Sequence, residues 1–354
     1  MKFTSWPRLC AAALLSFVGG LAAAAEPAGT LLVLNKSDDT VSLLDLASRQ
    51  IRATLPTGDG PHEVAVSADG KTAVVTNYGD SQHPGNTLTV IDVPGKKVVR
   101  TIDLGEYSRP HGIAWLQGDD VAVTVEASKA LLIVDASAGK IKHTIATDQH
   151  GSHMVAVSSK HRRAFTANIG SGTTTVVDLA SNQRITDVAT GKGAEGIAVS
   201  PDGSEVWVTN RDANTISVVD PATFQVMATL EPGEIPIRVK FTPDGTRALI
   251  SNAQSGDVAV FDTVTRELVG RIPMQAGGEE LPRDDSRPLV SQFGGGPVPV
   301  GILMPEPLSV AFVANTNADT VTMIDLNTLK IVGRLKAGRE PDGLGYSTLT
   351  LPAG

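Results

Sequence analysis

The chain of 354 residues contains one cysteine, Cys10, and only 4% aromatic residues. Cys10 sits near the start of an N-terminal apolar run rather than at its end, which argues against a lipid anchor at that thiol. Beyond it the chain has no thiol nucleophile and no disulfide. It also lacks the Cys-x-x-Cys-His motif through which a c-type haem is attached, so covalent haem is excluded. A basic excess is missing as well: 30 Lys and Arg stand against 38 Asp and Glu, which disfavours general nucleic-acid or anionic-membrane binding. No segment holds a sustained helical period. No serine-hydrolase elbow, P-loop or Gly-x-Gly-x-x-Gly after a strand is present, and the glycines at 294–296 are too isolated to cradle a phosphate.

What is present begins with Lys2 and Arg8, followed by an apolar run from Leu9 to Leu21 and the small residues Ala22 to Ala25. The run is too short to span a bilayer comfortably, and Ala23 and Ala25 supply an A-x-A cleavage site before Glu26. Residues 1–25 therefore read as a secretory signal peptide, which implies a periplasmic protein without a membrane anchor. Its removal takes both basic residues and deepens the net charge of −8 by two.

The segment 194–230 is the template of the rest. Short runs rich in Val, Ile, Thr and Trp at 196–200, 205–209, 215–219 and 225–230 are cut by Pro201-Asp202-Gly203, by 210–214 and by Asp220-Pro221-Ala222-Thr223, which predicts four strands joined by tight turns. The aspartate closing the third run recurs at Asp45, Asp92, Asp135, Asp178, Asp220, Asp262 and Asp325, with gaps of 47, 43, 43, 42, 42 and 63 residues. Seven copies at this period predict an all-β, seven-bladed propeller of four-stranded blades over residues 26–354. The expected mature chain begins with the second strand of a blade at Leu31 to Asn35 and ends with an orphan first strand from Pro341. The C-terminal strand is therefore expected to complete the N-terminal blade and close the ring.

The Asp-Gly turns after Val66, Val199 and Phe241 serve turn geometry. The asparagine ending strand two, at Asn35, Asn77, Asn168, Asn210, Asn252 and Asn315, reads as a turn residue, with Glu126 as the exception. Two insertions break the pattern: 78–86, which carries His83, and about 275–299, with Gly277, Gly278, Arg283, Asp284, Asp285, Arg287 and Phe293. A loop of the second length is more often functional or disordered than neutral, and if it folds over the channel its arginines would form a lid.

Segments such as GIAVSPDGSEVWVTNRDANTISVVD and RALISNAQSGDVAVFD resemble the YVTN-repeat proteins, a family of seven-bladed propellers often found in the periplasm or at the cell surface. The resemblance covers residues 30 to 347 and implies the fold. Related propellers serve as lactonases, lyases, amine dehydrogenase subunits and haem d1 carriers, so it implies no single chemistry.

Function has to come from positions where the copies differ. Aligned on the following apolar pair, the first position of each innermost strand reads His62, His111, His153, Glu195, Ile237, Val300 and Asp342. Three neighbouring blades thus present histidine in one register, beside a glutamate. Three imidazoles and a carboxylate can ligate zinc, copper or iron, so His62, His111, His153 and Glu195 form a candidate metal set. Each histidine could equally cap a turn or pack between blades. Arg238, Glu63 and Asp342 are candidate ligand-binding residues, with Arg109 and Tyr107 nearby; an arginine there could bind an anion through its planar fork. His83 and His150 read as loop residues, and Trp115, Trp207 and Phe241 as inter-blade packing. The expected function is a periplasmic binding or scaffold propeller for a transition metal or small ligand, or for a protein partner. The alternatives are a lactonase or lyase using a histidine as general base with Glu195, and an accessory subunit of a periplasmic cofactor enzyme.

Overall fold

Residues 1–2, 27–275, 293 and 295–352 are described by a computed structural model. The expected signal segment and the insertion residues Gly277, Gly278, Arg283, Asp284, Asp285 and Arg287 lie outside the described residues. Among those described, no helix is long and apolar enough to cross a membrane.

Seven four-stranded antiparallel sheets form a ring. The first blade combines Thr30–Asn35, Thr40–Asp45 and Gln50–Pro56 with Pro341–Ser347 as its innermost strand. The following blades have innermost strands Pro61–Val66, Pro110–Trp115, Ser152–Ser158, Ala194–Val199, Pro236–Phe241 and Pro299–Leu303. The expected closure is therefore present: Thr30 pairs with Ser347, Val33 with Leu344 and Asn35 with Pro341. The template segment folds as Ala194–Val199, Val206–Asn210, Thr215–Val219 and Val226–Leu230.

The recurrent aspartates have one local task. Asp220 Oδ1 accepts the backbone N–H groups of Ala222 and Thr223 at 2.7 and 3.0 Å, and Asp178, Asp262 and Asp325 do the same two and three residues on. These bonds turn the chain from strand three into strand four. The asparagines bridge strands instead of only closing a turn: Asn77 Nδ2 donates to Thr87 and Thr89 at 2.9 and 3.0 Å, and Asn210 Nδ2 to Thr215 and Ser217.

The hydrophobic core is divided among the seams between neighbouring blades. Trp207 is fully buried and meets Phe241 edge-on at 5.4 Å across the seam of blades five and six, as expected of both residues. In blades two, three, five and six a strand-two hydroxyl binds the blade to the next at the axis. Thr76 Oγ1 donates to the His111 carbonyl at 2.8 Å, Thr124 to that of His153 at 2.6 Å and Ser251 to that of Val300 at 2.7 Å. Close approach there excludes a side chain at Gly112, whose Cβ would stand 2.7 Å from the His153 carbonyl oxygen.

Candidate functional site at the channel mouth

The seven aligned positions are the second residues of the innermost strands, one step further in than the sequence alignment placed them. The backbone explains why they matter. In every blade the register shifts at this point: Pro61 pairs with Asn77, yet Val64 already pairs with Val75, and Pro110 and Ile113 pair with Val125 and Val123. The other five innermost strands carry the same irregularity. A bulge re-aims the side chains it contains, and here it turns His62, His111, His153, Glu195, Ile237, Val300 and Asp342 towards one cavity of about 160 Å³.

A second ring of seven residues faces the same mouth. Lys36, Tyr78, Glu126, Ile169, Arg211, Ala253 and Thr316 each donate a backbone N–H to the residue just before an innermost strand. Those acceptors, Glu340, Gly60, Arg109, Gly151, Gly193, Ile235 and Val298, all have positive φ. The register corrects the reading of Glu126 as a replaced asparagine. Val125 pairs with Pro110 as Asn77 pairs with Pro61, so Val125 occupies the asparagine position and Glu126 belongs to the mouth ring. Lys36, Arg211 and Ala253 line the cavity with Arg238 and Phe293, the latter packed against Ile237, Ala253 and Val298.

The three histidines are brought together in ring-to-ring contact. His111 and His153 lie 3.7 Å apart between centroids with a 34° tilt; His62 meets His111 edge-on at 4.9 Å and Tyr78 at 4.5 Å. The Arg109 guanidinium covers the Tyr78 ring at 4.8 Å. Among the described residues, no group of three or more His, Cys, Asp or Glu side chains is arranged to hold a metal ion.

Charge alternates across the channel. His153 lies between two carboxylates, Nδ1 at 3.4 Å from Glu126 and Nε2 at 3.5 Å from Glu195. Burial opposes a charge on His153, but contacts with Glu126 and Glu195 outweigh it and hold the imidazole up at about 8. Burial has the opposite result for its neighbours, which lack such partners. It brings His62 down to about 4, against the pull of Asp342, and His111 well below its ordinary value, with the charge of His153 adding to the effect. Burial would raise Glu126, but His153 and the Tyr78 hydroxyl, which donates to it, bring it down to about 2.

Arg238 is only 4% exposed and crosses the channel. It donates to Glu63 of blade two through Nη2 at 2.7 Å and to Glu195 through Nη1 at 3.4 Å. Arg211 holds the other Glu195 oxygen at 3.1 Å, and Lys36 stands 3.8 Å from Asp342. The expected ligand-binding residues Arg238, Asp342 and Glu63 thus belong to one buried network, with Arg238 and Asp342 on the cavity wall and Glu63 joined through Arg238. His83 and His150 are exposed loop residues. Tyr107 packs against the core of blades two and three. The alignment of inner strands did not include Glu126, Arg211, Lys36 and Tyr78; their signal was a shared place one residue past strand two.

The cytochrome D1 heme domain family matches residues 108–278, and the YNCE-like β-propeller family matches residues 18–120. Both are propeller families. The chain is a seven-bladed β-propeller protein. No curated protein matches its sequence. Among solved structures, Kuenenia stuttgartiensis hydrazine synthase is similar at 17% identity and a TM-score of 0.67, with 87% of this chain and 99% of that chain covered. A functionally unknown protein from Desulfotomaculum acetoxidans is similar at 15% identity and a TM-score of 0.70, with 90% and 99% covered. At these identities the likeness is one of fold. The heme-domain match raises the question whether this mouth suits a macrocycle, and its residues do not fit one. The cavity of about 160 Å³ is well below the roughly 300–1,000 Å³ of cofactor-sized pockets, and its axis is filled by Arg238 and its carboxylates.

Proposed function

We propose that the protein is a periplasmic ligand-binding propeller that takes a small polar molecule at its channel mouth. The observation that supports this reading is a pair of buried polar atoms without hydrogen bonds on the cavity wall, one on an imidazole and one on a carboxylate: His111 Nδ1 and Asp342 Oδ1. An unsatisfied buried polar group costs about 1–3 kcal/mol, so a ligand carrying both donors and acceptors gains by meeting them. Size follows from volume. About 160 Å³, at roughly 30 Å³ per water, corresponds to about five waters, or a molecule of about as many heavy atoms. The charge balance narrows the class further. Lys36, Arg211, Arg238 and protonated His153 face Glu63, Glu126, Glu195 and Asp342, which favours a neutral or zwitterionic molecule over a strongly charged one.

One observation favours a transition metal as a second reading. His62 Nδ1 lies 2.8 Å from the Gly60 carbonyl, the partner that directs a lone pair to Nε2, and burial keeps His62 and His111 neutral. His153, by contrast, already carries a proton at pH 7.

Calorimetric titration of wild type and His111→Phe with small amides, amino acids and polyols, and separately with zinc, copper and nickel salts, tests both readings. The expected result is one ligand per chain, weakened at least tenfold by the substitution. No binding from either group, or equal binding to both proteins, contradicts the site.

A further inference from the structure

At the opposite ends of the innermost strands, a groove of about 510 Å³ opens between blades three and four, within the roughly 300–1,000 Å³ of small-molecule pockets. Its sequence origin is a pair of adjacent departures from the repeat. In blades two, five and six the first turn is Ser-Ala-Asp-Gly, Ser-Pro-Asp-Gly or Thr-Pro-Asp-Gly, with the Asp accepting the Ser or Thr hydroxyl at 2.6–2.7 Å. Blade three has Leu116-Gln117-Gly118-Asp119 in its place, and blade four has Ser158-Ser159-Lys160-His161, followed by Arg162 and Arg163.

The basic turn of blade four divides its work. Lys160 Nζ and His161 Nε2 reach the Asp202 and Gly203 carbonyls of blade five, each at 2.9 Å. Arg163 donates to the Pro221 carbonyl and covers the Phe224 ring. Arg162 takes no part in this. It is exposed, held at φ +50° and borders the groove, where the through-space pull of Asp178 is its recorded charge contact. Across from it Lys142 is paired with Asp120 at 2.7 Å. Between these cations the wall is apolar: Trp115, Ile133, Val157 and Leu179. Trp115 is fixed there by its indole N–H, which donates to the Gly118 carbonyl at 2.8 Å. An exposed guanidinium that faces Asp178 only through space, beside the apolar side chains of this groove, is complementary to a small molecule with an apolar body and an anionic end.

We propose that this groove binds a small amphipathic anion, an aromatic carboxylate whose ring lies against Trp115, Ile133, Val157 and Leu179 and whose carboxylate meets the Arg162 fork. The inference is independent of the channel mouth. Trp207 is fully buried in a different seam and Trp6 is replaced by Phe in every protein compared, so Trp115 reports on the groove. The test is titration of the full chain with 1-naphthoate, followed by tryptophan fluorescence and calorimetry, with uncharged 1-naphthalenemethanol as control. Saturable quenching at one site is expected, absent in Trp115→Phe by fluorescence yet retained by calorimetry. Arg162→Gln is expected to weaken naphthoate about tenfold, the worth of one charge-assisted hydrogen bond, while leaving naphthalenemethanol unchanged, and Arg162→Lys to restore part of the loss. Equal affinity for the two probes, naphthoate binding unaffected by Arg162→Gln, or no saturable binding overturns the proposal. His111→Phe leaves naphthoate binding intact if the two sites are separate.

Discussion

Substituting Glu126 by Gln tests the electrostatic account of the mouth, because it removes one of the two charges beside His153 and keeps an acceptor for the Tyr78 hydroxyl. The rise of His153 from 6.5 to about 8 corresponds to about 2 kcal/mol of folding free energy. Its folded value lies above the unfolded one. The contribution is therefore complete below about pH 6.5 and is lost as the pH climbs through about 8. Burial opposes the charge, so the two carboxylates together contribute more than this net; with Glu126 and Glu195 at nearly equal distances, 3.4 and 3.5 Å, more than half of it, at least about 1 kcal/mol, should go with Glu126. Glu126 itself is ionised throughout this window, since it is held at about 2, and the opposite contribution of His62 is common to both proteins. Urea unfolding at pH 6 and pH 9 should then show Glu126→Gln losing at least about 1 kcal/mol more at pH 6 than at pH 9. Histidine-ring NMR should show the His153 midpoint falling by about one pH unit or more. A stability difference that is the same at both pH values, or a wild-type His153 that titrates below 6.5, refutes the reasoning.

Arg238→Met leaves Glu63 and Glu195 facing each other in a buried channel. Loss of one partner of a buried pair costs about 3–5 kcal/mol, so a large drop in the urea midpoint is expected, with partial recovery in Arg238→Met/Glu63→Gln. Deleting residues 341–354 removes the strand that closes the ring and leaves Thr30–Asn35 as an unpaired edge; size-exclusion chromatography should show aggregation or a broadened, non-cooperative unfolding profile. Asp220→Ala strips two backbone N–H groups of their acceptor and should cost about 1–2 kcal/mol by the same unfolding assay.

The ring was legible because one side chain with one local task repeats. An aspartate that accepts one or two backbone N–H groups at the end of strand three leaves its mark every forty-odd residues outside the long insertion, whatever the rest of the blade contains. The histidine register was legible for the same reason, since equivalent places in a repeat must face equivalent directions. What the rings do there was not. Three histidines in one register suggest converging nitrogens, but the mouth is narrow enough that His111 and His153 lie face against face, and two are left neutral while the third is charged. The partners that decide this come from elsewhere. Glu126 carried a signal, but the missing asparagine hid its true register, because Val125 had taken that place. Glu63 and Arg238 are 175 residues apart, in non-adjacent blades, and meet only because the ring closes around a narrow axis. No local pattern in sequence encodes such a contact.

Ring-resolved NMR of the seven histidines, followed during titration with the small polar ligand found by calorimetry, is the most direct test of the channel mouth as the binding site. The account predicts that the signals of His62, His111 and His153 shift together and saturate at one ligand per chain, while His83, His143, His150 and His161 stay where they are. Saturable binding that moves none of the three mouth histidines contradicts it.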